Sequence, residues 1–156
     1  MIDKFEGKYE FLSNFYESPL RWRGNDYPTV EHAFQAAKTL DPIYRQAIAT
    51  ADTPGKAKRL GRKANLRPDW EDIKEQVMYE CVSAKFSQSI SLMLALLATG
   101  DEELVEGTTG WHDNEWGSCS CPKCINIEGK NKLGKILMRV REEMLAKLEE
   151  LVKSPV

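Results

Sequence analysis

Tyr27-Pro28-Thr29-Val30-Glu31-His32-Ala33-Phe34-Gln35-Ala36-Ala37-Lys38 is where this chain turns from short extended segments to helices. The Thr29 hydroxyl can accept from the unpaired N–H groups of a helix start, which predicts a helix over roughly Val30 to Thr39. Upstream, Leu20-Arg21-Trp22-Arg23, the turn formers Gly24-Asn25-Asp26 and then Tyr27 read as a short hairpin. Downstream, Asp41-Pro42 and Thr53-Pro54 each pair a capping side chain with a proline at the first helical position, where an N–H is dispensable. Asp69 opens a longer helix whose Trp70, Ile73, Val77, Cys81 and Ala84 recur at three-to-four spacing. Ile90 to Thr99 is apolar nearly all round, which predicts a buried helix ended by Gly100. Leu133, Ile136, Leu137, Val140, Met144, Leu148 and Leu151 form a last amphipathic stripe. The expected class is α+β, mostly helical, with a small N-terminal β-hairpin region.

Bulk properties fit one domain over residues 1–156, with a core from about 5 to 145. Hydrophobic residues make up 42% and charged residues 29%, and the formal net charge is -2, which argues against a protein that coats nucleic acid through general basicity. The start, MIDKFEGKYE, has no apolar segment of the kind that directs export, and the run Leu92 to Ala98 is too short to span a bilayer. A cytoplasmic protein with no membrane and no obligate protein partner is the expectation. Of four cysteines, Cys119, Cys121 and Cys124 cluster while Cys81 stands in a helical pattern, unlike a secreted disulfide framework.

Chemistry concentrates in a few places. Glu31 and Lys38 lie two helical turns apart and so share a face, with Phe34 and Gln35 between them. An acid and an amine so placed suit acid–base or covalent chemistry, provided burial strips the lysine of its proton. The same placement is also what an ordinary surface helix prefers at its ends. Asn14, within Phe11-Leu-Ser-Asn14-Phe15-Tyr16, either binds a polar ligand edge or makes a turn. Trp70 either stacks on a base or heads a core stripe, and His32 either serves Glu31 or packs. The segment Thr108 to Lys130 lacks periodicity and holds Trp111, His112, Asp113 and Trp116, a density typical of functional loops. Its Cys121-Pro-Lys-Cys124 knuckle lacks the second pair that a structural zinc site normally has, with Cys119 or His112 the available completions, so the working set contains no metal. Gly129-Lys130-Asn131, opening the last helix, offers N–H groups and lysines to a phosphate.

Taken in order, Phe11-Leu-Ser-Asn14-Phe15-Tyr16, the E-H-x-x-F-Q-x-x-K core from Glu31 to Lys38, Trp70-Glu-Asp-Ile-Lys-Glu-Gln-Val-Met, Trp116-Gly and Gly129-Lys130-Asn131-Lys-Leu133-Gly134-Lys-Ile-Leu-Met resemble the NADAR family of YbiA-like N-glycosidases. The resemblance runs from about Phe5 to Met144. It implies cleavage of the bond between a ribose and a nitrogenous base, either in riboflavin-pathway ribosylaminopyrimidines or in ADP-ribosylated guanine of nucleic acid. It also implies catalytic roles for Glu31 and Lys38, an active-site tryptophan at Trp70, and a pocket segment at Asn14 and Phe15. Where relatives can carry an acid directly after Trp-Gly, Ser118 stands here, so Asp113 enters the catalytic set instead. Substrate contacts are expected from Asn14, Phe15, His32, Gln35, Trp70, Trp111, Trp116, Lys130 and Asn131. The partner is a small ribosylamine or an ADP-ribosylated nucleic acid, no cofactor is expected, and the alternative is a non-catalytic ADP-ribose or nucleotide-binding module.

Overall fold

The computed structural model describes residues 1–155, and the Cα framework divides into two compact units: residues 14–89, and residues 1–13 together with the chain from Ile90 onward. The architecture is α+β and mostly helical.

In the first unit, β1 (Leu20–Trp22) pairs antiparallel with β2 (Asn25–Tyr27), with Leu20 opposite Tyr27 and Trp22 opposite Asn25. The turn is one step earlier than the sequence suggested. Arg23 and Gly24, with φ of 47° and 82°, make a two-residue loop whose left-handed residues match the strand twist. Four helices follow: α1 (Val30–Ala37), α2 (Pro42–Ala49), α3 (Pro54–Arg62) and α4 (Trp70–Ser87). Thr29, Asp41 and Thr53 all cap as expected, their side chains accepting from the N–H groups of His32, of Ile43 and Tyr44, and of Lys56. Asp69 does not; its carboxylate instead takes the guanidinium of Arg67 at 2.6 Å.

Every residue of α1 is buried. Ala33, Ala36, Ala37 and Gly61 let α1 and α3 approach closely: a Cβ at Gly61 would lie 2.7 Å from Gln35 Cδ and 3.1 Å from Gln35 Cβ. The Tyr44 hydroxyl donates to the Leu60 carbonyl at 2.7 Å and ties α2 to α3. The carbonyl of Lys38, just past α1, accepts from Arg67 N at 2.8 Å, which sets the start of α4 beside α1.

The second unit holds a 3-10 turn (Gly7–Leu12), α5 (Ile90–Ala98) and α6 (Lys132–Lys153). Gly100, with φ of 64°, ends α5 as expected. The expectation of burial all round α5 fails. Leu92 and Leu96 are buried, but Ile90 is 74% exposed and Leu94 56%. A nine-residue helix with one facing partner covers one stripe whatever its composition. The stripe on α6 is likewise covered only in its first half, at Leu133, Leu137 and Val140, while Leu148 and Leu151 are exposed. Among the described residues no single helix is long and apolar enough to cross a membrane.

Candidate active site

The first unit brings Glu31, Gln35, Lys38, Phe15 and Lys58 into one neighbourhood. The N–H of Glu31 donates to the carbonyl of Asn14 at 3.1 Å, which fixes the residues before β1 against the first turn of α1. Glu31 is 7% exposed, and Gln35 Nε2, one turn on, donates to its Oε1 at 2.8 Å. Burial pushes the carboxyl above the usual carboxylate range; the Gln35 bond and then the positive charges of Lys58 and Lys38 oppose that shift without cancelling it. Lys38 is half-buried, and its Nζ lies 5.8 Å from the centre of the Phe34 ring. Burial lowers its ammonium below the ordinary lysine value; Glu31 opposes, while Lys58, Arg62 and Lys74 add to the lowering. An acid shifted up and a base shifted down on one helix face are the kind of perturbed groups that cluster at functional sites.

Lys58, Arg62 and Lys74 were not singled out in the sequence. On α3, PGKAKRLGR, the cations look like an ordinary solvated face. Only the packing of α3, with Lys58 and Arg62, and of α4, with Lys74, against α1 brings these charges to bear on Glu31 or Lys38. Lys58 Nζ also lies 5.8 Å from the centre of the Phe15 ring, and Phe15 remains 43% exposed.

The structure redistributes several expected roles. Trp70 is 5% exposed and packs on Phe34 with ring centres 5.1 Å apart, so it supports α1 and offers no open ring for stacking. His32 is buried with both ring nitrogens engaged: the Thr29 hydroxyl lies 2.8 Å from Nδ1, and Nε2–H donates to the Ala51 carbonyl at 2.9 Å. That arrangement pins the α2–α3 connection and leaves His32 no donor for substrate. Asn14 is buried, its amide donating to Met78 Sδ at 3.4 Å. Gln35 holds Glu31, and its Oε1 lies against Gly61 with no hydrogen-bond partner.

Trp111, Asp113, Trp116, Lys130 and Asn131 belong to the second unit. Asp113 Oδ1 accepts the N–H groups of Glu115 and Trp116 at 2.9 and 3.0 Å, the work of a turn-forming aspartate. Trp111 is exposed, and Lys132 Nζ stands 5.8 Å from the Trp116 ring centre. The phosphate cradle expected at Gly129–Asn131 is already filled by protein. The N–H groups of Lys130, Asn131, Lys132 and Leu133 donate to the carbonyls of Asn114, Gly117, Glu115 and Trp116. The Asn131 side chain accepts from Glu106 N at 3.0 Å and donates to the Leu104 carbonyl at 2.9 Å. The donors that would hold an anion are used to fasten the preceding loop. In that loop, His112 Nδ1 and the sulfurs of Cys119, Cys121 and Cys124 lie within 4.8 Å of one another, so the structure supplies the fourth potential ligand that the sequence left open.

The NADAR domain model matches residues 2–145. The chain belongs to the NADAR family. This NADAR chain is 44% identical over 138 residues to the N-glycosidase YbiA of Shigella flexneri, an alignment covering 87% of the chain and 82% of that protein. It is 39% identical over 136 residues to a riboflavin biosynthesis protein of Vibrio vulnificus, covering 86% of the chain but 35% of that longer protein. The NMR structure of Escherichia coli YbiA superposes on the NADAR chain with a TM-score of 0.81 at 39% identity, covering 96% of this chain and 90% of the other.

Proposed function

We propose that this NADAR chain is an N-glycosidase that hydrolyses the bond between a phosphorylated ribose and a nitrogenous base, with Glu31 and Lys38 as its catalytic residues. The observation that carries the reading is the buried Glu31 carboxyl, held by Gln35 and shifted by burial above the usual carboxylate range, on the same helix face as a lysine whose ammonium is weakened by burial. The names of the relatives support the reaction class.

As the C1′–N bond breaks, its electron pair leaves with the base and positive charge grows on the sugar. Protonated Glu31 supplies the proton that the departing nitrogen takes up. The resulting carboxylate then stabilises the oxocarbenium centre and removes a proton from the attacking water. Neutral Lys38 opens a second route: it adds to C1′ of the ring-opened sugar, the base amine leaves, and water hydrolyses the Schiff base. Lys58 and Arg62 supply positive charge for the sugar phosphate, and the exposed Phe15 ring offers a face to the base. The substrate proposed first is a ribosylaminopyrimidine phosphate, because the Vibrio vulnificus relative is named for riboflavin biosynthesis.

The test is incubation with ribosylaminopyrimidine phosphates and, separately, with ADP-ribosylated guanine DNA, scoring released base and sugar by mass. Glu31→Gln is expected to lose turnover while keeping the wild-type circular dichroism spectrum. Retained turnover makes Glu31 a structural acid and overturns the proposal. Borohydride added during turnover is expected to trap a sugar on Lys38; absence of the adduct removes the Schiff-base route and leaves the Glu31 route. Protection of either ligand without base release would instead show a binding module.

A further inference from the structure

We propose that His112, Cys119, Cys121 and Cys124 bind one zinc ion in a closed, structural site that orders the loop preceding α6. This inference stands apart from the catalytic reading, since it involves neither Glu31 nor Lys38.

Geometry comes first. His112 Nδ1 lies 3.3, 3.4 and 3.8 Å from the sulfurs of Cys119, Cys121 and Cys124. A tetrahedral zinc with Zn–S of about 2.3 Å and Zn–N of about 2.0–2.1 Å has N···S edges of about 3.6 Å, and the three separations straddle that value. One imidazole nitrogen cannot form three good hydrogen bonds to thiols, but it and three thiolates can share one central cation.

The backbone assembles the cluster independently of the thiols. The Thr108 carbonyl accepts from Trp111 N at 2.9 Å and His112 N at 2.6 Å, and the Thr108 hydroxyl donates to the Asp113 carbonyl at 2.6 Å. This tight turn leaves His112 with a φ of 57°, a left-handed conformation that histidine adopts more readily than most non-glycine residues. Cys119 N is held by Asn114 Oδ1 at 2.9 Å, and Cys124 N by the Cys121 carbonyl at 3.0 Å, the turn of a C-x-x-C knuckle. Both halves of the donor set are thus positioned from opposite ends of the loop.

A metal would add a side-chain tie to the backbone hydrogen bonds that fasten this loop at Lys130 to Leu133. Among the described residues the loop contains no helix or strand from Thr109 to Asn131, and Trp111, Ile125 and Ile127 are exposed, so apolar burial does little to hold it. Soft thiolates with one imidazole select zinc over hard cations, and four protein ligands leave no open position for water or substrate.

The full chain, purified under reductant without chelator, is expected to carry one zinc per molecule by plasma mass spectrometry. Cobalt replacement is expected to give tetrahedral d–d bands in the red and thiolate charge transfer in the near ultraviolet. Cys124→Ser and His112→Ala are each expected to weaken zinc, measured by competition with a chromophoric chelator, on the order of 100-fold or more. A wild-type chain that takes up no zinc on reconstitution, whether its thiols are free or joined as a disulfide, overturns the site. So does zinc retained with unchanged affinity in both variants, or an octahedral cobalt spectrum in the wild type. The wild-type cobalt spectrum decides the question even if a variant does not fold.

Discussion

A methyl group added at Gly61 would overlap the Gln35 amide, with Cδ at 2.7 Å and Cβ at 3.1 Å from the new carbon. In an ordinary helix interior Gly→Ala stabilises by about 0.8–1.0 kcal/mol. Here the methyl displaces the side chain that donates to Glu31, and at a pH where that carboxyl is ionised a hydrogen bond to it is worth about 1.5–3 kcal/mol. The difference is a net loss of about 0.5–2 kcal/mol, and for a chain of this size each kcal/mol lowers Tm by about 2–4 °C. Because the Gln35 bond holds the Glu31 pKa down against burial, its loss should also move the alkaline limb of base release, where the acid loses its proton, to higher pH. Thermal melts of Gly61→Ala, Gln35→Ala and the double variant, with pH–rate profiles, make the measurement. In the Gln35→Ala background most of the penalty should vanish, although Cβ of residue 35 still stands close. Stabilisation by Gly61→Ala in the wild-type background, or additivity of the two substitutions, would refute the reasoning.

Glu31→Gln should be more stable than wild type as well as inactive. A carboxyl whose folded pKa is raised holds its proton longer in the folded state, so stability falls as pH rises from the ordinary value of 4.5 through the raised one. The gain in Tm should therefore be absent at acid pH and grow with pH; a constant gain would contradict it. Lys85 is buried in α4 with Nζ 5.0 Å from the Phe86 ring centre and 5.5 Å from that of Tyr16, and burial lowers its pKa to about 7. Between about 7 and its ordinary 10.5 the unfolded chain binds more protons, so stability should rise with pH across that window, and Lys85→Met should flatten the rise in urea-unfolding free energies. Asn131→Ala removes two hydrogen bonds and places alanine at a φ of 47°, a loss of about 2–4 kcal/mol by denaturant unfolding with little change in KM. A large KM increase with unchanged stability would restore the phosphate reading of that segment.

What was legible in the sequence was local. The caps at Thr29, Asp41 and Thr53 act within three residues of themselves, so chain order suffices to place α1, α2 and α3. The shared face of Glu31 and Lys38 is likewise a property of one helix. Contacts between elements were not legible. Nothing near Gln35 in sequence indicates that Gly61 lies against it, and nothing in α3 marks Lys58 as charge acting on Glu31. Periodicity reported which α5 residues were apolar but not that only one stripe would meet a partner. At Lys130 and Asn131 a lysine and glycine pattern predicted an anion site, but the loop's carbonyls had taken the same donors. For His112 the missing information was a backbone turn that reverses the chain towards the cysteines.

The complete enclosure of α1 has a consequence for anyone wishing to redesign this protein. A helix with no water-facing side tolerates few replacements anywhere along its eight residues, so a mutational library there would return mostly unfolded chains. Exposed Phe15 and the outward cations of α3 can vary without disturbing that buried rod. New specificity should be sought in those surrounding positions, with the acid-bearing helix left untouched.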